Sequence, residues 1–286
     1  LPPSRHSALA GYRKTWAAGA AVSRCVRLAV CVMRSEMGIP GVLTAPQWCF
    51  YDVLFSKANR DQALKPEELR KFSLPQPFGS YVMENILFKI SFPAEFHAQT
   101  AAEAAVKLHP EVKDRLDEID RIELTTHESA IRIISKQGDL ANPADRDHCL
   151  QYMTAVPLIF GNLTAEHYED SFHHDHPEID RLREKMLVIE DERYTRGYLE
   201  DDKRSIANAV QGFFKDGSST EKVAVEYPIG HRRRREEGMP LLVDKFRNAL
   251  NTRFAPRQCE AIMASCENIG QLEAMPVHEF VGQFML

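Results

Sequence analysis

Apolar residues recur at helical spacing near both ends of the chain. Between residues 16 and 32 they fall three or four positions apart, which predicts an amphipathic helix. The same spacing over residues 241–254 predicts another helix, and the pattern also favours helices over 256–266 and 276–285. Both ends of the chain are therefore predicted to be helical.

The middle of the chain carries strand patterns as well. Residues 119–125 alternate between apolar and polar positions, which predicts a strand. Asp216-Gly217 separates the apolar runs 205–214 and 223–227, which predicts a β-hairpin. Helices are expected over 96–108, 147–160 and 180–186. Strands surrounded by segregated helices indicate an α+β fold.

Two of these helices have predicted boundaries. Pro110 is expected to end the first of them, because the residue before a proline is biased away from helical geometry. Asp145 is expected to cap the helix over 147–160, since a side-chain oxygen at that position accepts from free backbone N–H groups.

Composition and charge narrow the class of protein. The 286 residues are 44% apolar and 27% charged, which is typical of a globular protein and unlike a disordered, collagen-like or disulfide-dense chain. The net charge of −5 attracts neither nucleic acid nor an anionic membrane. Arg24 and Arg27 interrupt the longest apolar stretch, 17–33, so no transmembrane helix is predicted. The six cysteines include no CxxC pair, which fits free thiols in a reducing compartment.

The amino-terminal segment is basic. Residues 1–35 contain arginines and a lysine, and the first acidic residue is Glu36. This composition is typical of a mitochondrial transit peptide. A helix of the mature protein with a basic edge fits it equally well.

Lys89, Glu95 and His97 lie within nine residues, beside a proline and at the start of a predicted helix. A lysine in a partly apolar setting binds a carboxylate or, with a lowered pKa, acts as an acid or base. The alternative is a lysine that extends to solvent and a glutamate that caps the helix.

His148 and Tyr152 are four positions apart, so on a continuous helix they share one face. Such a pair near a helix amino terminus suits an anionic ligand. The alternative is a core helix with two polar tips.

Two further polar clusters are explained more readily as surface segments than as functional sites. His173, His174 and His176 lie near two aspartates, where a metal site is conceivable, but a polar surface loop is favoured because adjacent residues rarely converge on one ion. The run His231–Arg235 has the composition of a nuclear signal or a nucleic-acid patch. It is followed by Glu236 and Glu237, which favours a solvated loop or an intramolecular contact with an anion.

Common catalytic motifs are absent from the sequence. It contains no GxGxxG, P-loop, GxSxG or HExxH pattern. The motifs that usually identify nucleotide enzymes, α/β-hydrolases and zincins are therefore absent from the sequence.

Longer segments resemble one known family. They begin with Arg-Lys-Thr-Trp-Ala-Ala-Gly at residues 13–19 and continue through the rest of the chain. The further matching segments are 23–24, 26–29, 79–85, 88–97, 142–152 and 227–231. In these segments the chain resembles the MmgE/PrpD family, and within it the branch that acts on 2-methylcitrate.

The resemblance implies a fold and an activity. A helical domain would comprise residues 1–90, an α+β lid domain 91–235, and helices over 236–286 that return to the helical domain. The activity would be a cofactor-independent lyase reaction, the dehydration of 2-methylcitrate to 2-methyl-cis-aconitate in the methylcitrate cycle of propionate catabolism. The implied partners are a tricarboxylate substrate and a second copy of the chain, with no metal, nucleic acid or membrane. The fungal form of the pattern implies mitochondria, and a bacterial origin would imply the cytoplasm.

Site residues follow from the matching positions. Lys14 and Lys89 resemble lysines that contact substrate carboxylates, and Tyr152 resembles an active-site tyrosine, with His148 beside it. Glu95 falls where related cis-aconitate decarboxylases have a histidine, and His97 is nearby, with a structural role as its alternative. His231 lies in the family's Gly-His segment, and Arg233 is a further expected carboxylate-binding cation.

The chain departs from the family at its amino terminus. Family members are longer there, and the upstream half holds an aspartate and a histidine of the active site. Residues 1–11 do not match the lead-in to Arg13-Lys14, so the chain is expected to correspond to a carboxyl-terminal portion, inactive alone. The basic stretch then belongs to a mature motif and not to a presequence. Alternative functions are a decarboxylase related to cis-aconitate decarboxylase and a truncated, non-catalytic relative.

Overall fold

The computed structural model describes residues 16–55 and 86–286. These residues fall into two compact units, one of residues 16–55 and one of residues 86–286. The division into domains at residues 90 and 235 stays a prediction.

The first unit is helical. Its helices are α1 (Trp16–Met33) and α2 (Phe50–Phe55), and turns connect them. The predicted amino-terminal helix is confirmed, and none of its residues is buried.

The sequence-based exclusion of a membrane-spanning helix was too strict. Helix α1 has 18 residues with a mean hydropathy of 1.4, which makes it long and apolar enough to cross a membrane. Arg24 and Arg27 are too few to cancel the alanines and valines around them. Signal sequences and the core helices of soluble proteins meet the same criterion, so this finding by itself assigns no membrane.

A four-stranded mixed sheet organises the second unit. Its strands are β1 (Ile119–Thr126), β2 (Met186–Glu190), β3 (Asn208–Phe214) and β4 (Val223–Val225). Their order is β2-β1-β3-β4, with β2 parallel to β1 and the other neighbours antiparallel. The predicted strand and hairpin are confirmed, and so is the α+β class.

The second unit also contains helices. In chain order they are α3 (Gln99–Val112), α4 (Glu128–Ile134), α5 (Pro143–Arg146), α6 (Leu150–Phe160), α7 (Asp170–Asp175), α8 (Glu178–Arg183) and α9 (Glu192–Leu199). The alanine-rich face of α3 packs against α6 and against the sheet, and these contacts form the main hydrophobic core. Burial of this face is the main source of stabilisation here, since apolar area removed from water contributes about 25 cal/mol per Å².

Several predicted boundaries are wrong. Pro110 lies inside α3, not after it, because a proline near a helix end removes one hydrogen bond while Leu108 and Val112 remain buried. Asn142, not Asp145, is a cap, and its Oδ1 accepts from two N–H groups at the start of α5. The segment 180–186 divides between α8 and β2.

The carboxyl-terminal helices have a small core of their own. They are α10 (Arg235–Asn251), α11 (Pro256–Glu267), α12 (Ile269–Ala274) and α13 (Val277–Gly282). Leu250, Cys259, Ile262 and Met263 form the buried centre of this group. The predicted helices are present, but α10 begins six residues earlier than the pattern indicates.

Candidate active site

Glu95 and His97 form a pair at the entrance to α3. The Oε2 atom of Glu95 lies 2.8 Å from Nδ1 of His97 and also accepts the backbone N–H of His97 at 2.8 Å. The glutamate therefore caps the short turn over residues 96–98 and holds the imidazole at once. With Nδ1–H directed to the carboxylate, the Nε2 atom of His97 is left for proton exchange.

The surroundings of Glu95 favour the ionised form of its carboxylate. Burial opposes ionisation of Glu95, but the hydrogen bonds and charge of His97, together with the nearby charge of His148, lower the pKa of Glu95 below its ordinary value. The backbone of His97 is anchored as well, because the side-chain amide of Asn208 on β3 donates to its carbonyl at 2.7 Å.

Two further aromatic residues complete the cluster. His127, directly after β1, is fully buried and stacks on Tyr198 of α9 with ring centroids 4.8 Å apart. The hydroxyl of Tyr198 lies 3.4 Å from Nε2 of His97, and the two imidazole centroids are 5.1 Å apart. Burial, assisted by the charge of His97, lowers the pKa of His127 to about 4.

Sequence reasoning missed His127 and Tyr198. The available signal was the polar run Thr125–Glu128 at the carboxyl end of a predicted strand. Tyr198 has no local signal, because only the packing of α9 brings it to His97.

Lys89 and His148 flank this cluster. Lys89 is exposed, and its Nζ lies 5.1 Å from the ring centroid of Phe96. His148 lies in the segment between α5 and α6, with Nδ1 2.9 Å from Asp147. The helix that carries Tyr152 begins after His148, so the two do not share one helical face as the spacing predicted.

Tyr152 lies in the core. It is fully buried, and its hydroxyl donates to the carbonyl of His167 at 2.6 Å. Burial raises its pKa well above the ordinary value. Among the residues described, its aromatic neighbours are Tyr168 and His173.

His231 and Arg233 hold the loop before β3. The buried His231 donates through Nε2 to the carbonyl of Lys203 at 3.1 Å, while its Nδ1 accepts the backbone N–H of Arg233 at 3.2 Å. The guanidinium of Arg233 donates to the carbonyls of Asp202 and Lys203, at 2.7 and 3.1 Å.

The next residue in this basic run makes an internal ion pair. Arg234 pairs with Glu103 at 2.9 Å and with Glu237 at 2.7 Å. Of the two interpretations that the sequence favours for this run, a solvated loop and an intramolecular contact with an anion, the second is present.

The histidine-rich segment is helical and not a loop. His173 lies in α7, and its Nε2 is 2.8 Å from Asp180. Within residues 16–55 and 86–286, no group of three or more His, Cys, Asp or Glu side chains is placed to hold a metal ion. Lys14 lies outside the described residues.

A cleft of about 500 Å³ runs beside α9. Gly197, the neighbour of Tyr198 in the chain, lines it together with Ala207. Its charged lining residues are Arg193, Lys203 and Glu226, and the two cations are paired with Asp191 and Glu200.

A family comparison covers the part of the chain that holds this cluster. The MmgE/PrpD C-terminal domain matches residues 92–269. The chain belongs to the MmgE/PrpD family. The matched region contains Glu95, His97, His127 and Tyr198, so the whole cluster lies within this family domain.

Several curated relatives of this MmgE/PrpD chain are named 2-methylcitrate dehydratase. The chain is 51% identical to the 2-methylcitrate dehydratase of Cupriavidus necator and 49% identical to that of Escherichia coli K12, over 99% of this chain and 56% of each relative. It is 49% identical to the mitochondrial 2-methylcitrate dehydratase of Yarrowia lipolytica, over 98% of this chain and 52% of the relative. The chain thus spans about half the length of the curated relatives it matches.

Proposed function

We propose that this MmgE/PrpD chain serves in the dehydration of 2-methylcitrate to 2-methyl-cis-aconitate, a step of the methylcitrate cycle. The observation that carries the proposal is the identity of about one half, over 98–99% of the chain, to bacterial and fungal proteins named 2-methylcitrate dehydratase. The imidazole and carboxylate cluster supports it, because water elimination is acid–base chemistry.

The reaction needs a base and an acid. The base removes a proton from the carbon next to a carboxylate, the electron pair forms the new double bond, and the hydroxyl leaves as water after it gains a proton. In this proposal His97, oriented by Glu95, exchanges a proton through Nε2. His148 and Tyr152 complement it as acid or base.

The substrate carries three carboxylates, so cations must bind it. We assign this role to Lys14 and Lys89, with Arg233 as a further contributor. His231, expected from the family's Gly-His segment to bind substrate, is proposed instead to position Arg233, because both of its ring nitrogens are engaged with backbone groups. Positive charge at these positions also stabilises the enolate-like charge that develops as the proton leaves. The hydrogen bonds of Arg233 to Asp202 and Lys203 leave part of its guanidinium for such a role, since the group has five N–H donors.

The remaining parts of the proposal concern cofactor, assembly and location. No cofactor is proposed, and the functional unit is proposed to be a homodimer. In a eukaryotic cell the protein would act in mitochondria, as the name of the Yarrowia relative states for that protein. In a bacterium it would act in the cytoplasm.

The test is a product analysis with the protein purified from its natural source, since the 286 residues correspond to about half the length of the relatives they match. Incubation with 2-methylcitrate is expected to yield 2-methyl-cis-aconitate, identified by mass and by the ultraviolet absorbance of its conjugated double bond. His97→Gln should abolish most of the product, and His174→Gln, at an exposed position of α7, should leave it unchanged. Failure to form the alkene would refute the proposal, and release of carbon dioxide from cis-aconitate would identify a decarboxylase instead.

A further inference from the structure

The Nε2 atom of His127 is an unsatisfied polar atom in a buried place. The side chain has no solvent-exposed surface, and Nε2 has no hydrogen-bond partner within the described part of the chain. Native proteins pair nearly all such atoms, because a buried polar group without a partner costs free energy. An atom of this kind beside a cluster of acid–base groups points to a ligand.

The other ring nitrogen, Nδ1, lies 3.5 Å from the hydroxyl of Thr126, which leaves Nε2 as the ring nitrogen without a partner in the described part of the chain. In a neutral imidazole one nitrogen donates and the other accepts, whereas a hydroxyl group does both. A hydroxyl group can therefore pair with Nε2 in either tautomer.

The groups that face His127 come from different elements. His97 faces it from the turn before α3, with Glu95 behind, and Tyr198 covers it from α9. His97 and Tyr198 can each exchange a proton with an oxygen atom. A hydroxyl held by Nε2 of His127 would therefore lie beside groups able to protonate it.

The exposure of Tyr198 bears on how a ligand would reach His127. Tyr198 is only half-buried, and its 3.4 Å contact with His97 is a long hydrogen bond. Its neighbour Gly197 lines the 500 Å³ cleft. A ligand that reaches Nε2 of His127 from solvent would displace the Tyr198 ring, which covers the imidazole.

We propose that Nε2 of His127 forms a hydrogen bond with the hydroxyl group of a bound hydroxytricarboxylate. The inference rests on the proposed function, in which this hydroxyl is the one that leaves as water. The hydrogen bond fixes the position of the hydroxyl and so holds its oxygen beside the proton-exchanging groups of His97 and Tyr198. His127 thereby selects substrates that carry a hydroxyl.

The test compares two ligands that differ only in that hydroxyl. Citrate and propane-1,2,3-tricarboxylate are measured as inhibitors of 2-methylcitrate turnover, or by calorimetric titration where a variant has no turnover. The wild-type protein is expected to bind citrate roughly tenfold more tightly, the effect of one neutral hydrogen bond. His127→Phe keeps an aromatic ring against Tyr198 but lacks Nε2, and it should bind both ligands equally. His174→Phe, at the exposed control position, should keep the preference.

Comparison of the affinities for citrate and propane-1,2,3-tricarboxylate distinguishes a ligand-binding role of His127 from a merely structural one. A merely structural defect in His127→Phe would weaken both ligands alike and leave their ratio unchanged, which would overturn the inference while 2-methylcitrate dehydration by the wild type still stands. If the wild type neither dehydrates 2-methylcitrate nor binds either ligand, the proposed function fails and the inference fails with it.

A measurement on the wild-type protein covers the case in which the variant does not fold. The nitrogen resonances of His127 are identified through contacts with the Tyr198 ring in a protein with labelled histidine. The Nε2 resonance should move on addition of citrate and stay in place with propane-1,2,3-tricarboxylate. Equal responses to both ligands, or none to either, would contradict the proposal.

Discussion

At the residue scale, the cluster combines one local contact with several distant ones. Glu95 holds His97 across two positions, so a single turn suffices to form the pair. Tyr198 reaches His97 across 101 positions, which only the packing of α9 makes possible. Proton transfer by His97 depends on both kinds of contact. The Glu95 carboxylate orients the imidazole, and the residues packed around His97 set the polarity of its surroundings.

Glu95→Gln tests the orienting carboxylate. The amide keeps the size of the side chain but loses the charge and the strong acceptor for Nδ1–H of His97. The loss of such a partner typically lowers activity about 10- to 100-fold, and we expect kcat for 2-methylcitrate dehydration to fall in that range. Glu118→Gln, in an exposed pair with Arg115, serves as the control. A kcat within twofold of wild type would show that Glu95 does not orient the base.

Tyr152→Phe and Tyr168→Phe form a matched pair. The hydroxyl of Tyr152 donates to a carbonyl, whereas that of Tyr168 is buried with no partner among the described residues. We expect Tyr152→Phe to lower the free energy of unfolding by about 1–2 kcal/mol and Tyr168→Phe to leave it unchanged or raise it. Urea denaturation measures both.

The same pair tests the proposed catalytic role of Tyr152. If its hydroxyl takes part in proton transfer, kcat should fall at least about tenfold in Tyr152→Phe and hold in Tyr168→Phe. A normal kcat in a destabilised Tyr152→Phe would assign the hydroxyl to the core alone.

At the scale of elements, glycine positions show where backbone segments must approach closely. Gly230 has φ +106°, and a Cβ there would lie 2.0 Å from the carbonyl oxygen of Phe88. The same two residues are joined by a backbone hydrogen bond of 3.2 Å. Because Gly230 has no Cβ, the segment before α10 can approach the segment before α3 to hydrogen-bonding distance.

Gly230→Ala should disrupt this close backbone contact. Backbone atoms cannot rotate away from the added methyl group, so we expect a loss of at least about 2 kcal/mol in the free energy of unfolding. Gly138→Ala is the control, because Gly138 has φ +77° with open space around its Cβ position. It should cost only about 1 kcal/mol of backbone strain. Equal losses in urea denaturation would mean that the close approach is unimportant.

At the scale of the whole molecule, the buried imidazole links stability to pH. The pKa of His127 is about 4 in the fold, against an ordinary 6.5. Between these values the unfolded chain binds more protons than the folded one, so stability falls as the pH is lowered through this window. The groups that face the ring are His97, Glu95 and Tyr198. The Glu95 carboxylate adds its own loss of stability at lower pH, since its pKa is also lowered.

The expected slope from His127 is up to about 1.4 kcal/mol per pH unit between pH 6.5 and pH 4. Urea denaturation of the wild type and of His127→Phe at pH 7 and pH 5 measures it. Buried histidines elsewhere, such as His231 with its lowered pKa, contribute equally to both proteins. The difference between the two therefore isolates His127. Identical pH dependence would show that the imidazole is not protonated on unfolding.

Prediction from sequence succeeded where the physics is local. The helix α1, the strand β1 and the hairpin of β3 and β4 follow from periodicity and from the Asp216-Gly217 turn. It failed at the segment 180–186, because Met186 begins a strand only when β1 lies alongside it to pair with. It also failed at Asp145, because Asn142 is the residue whose side chain faces the free N–H groups of α5.

The sequence by itself determined the α+β class, the family and, as one of two interpretations, the capping role of Glu95, since these depend on neighbours in the chain or on long matching motifs. Only the tertiary structure decided that His127 and Tyr198 join Glu95 and His97, that the hydroxyl of Tyr152 is engaged in the core, and that His231 and Arg233 hold the loop at Lys203. The physical reason is the same in each case. Stacking, burial and hydrogen bonds to backbone carbonyls arise between segments far apart in the chain, and no local pattern encodes which segments will meet.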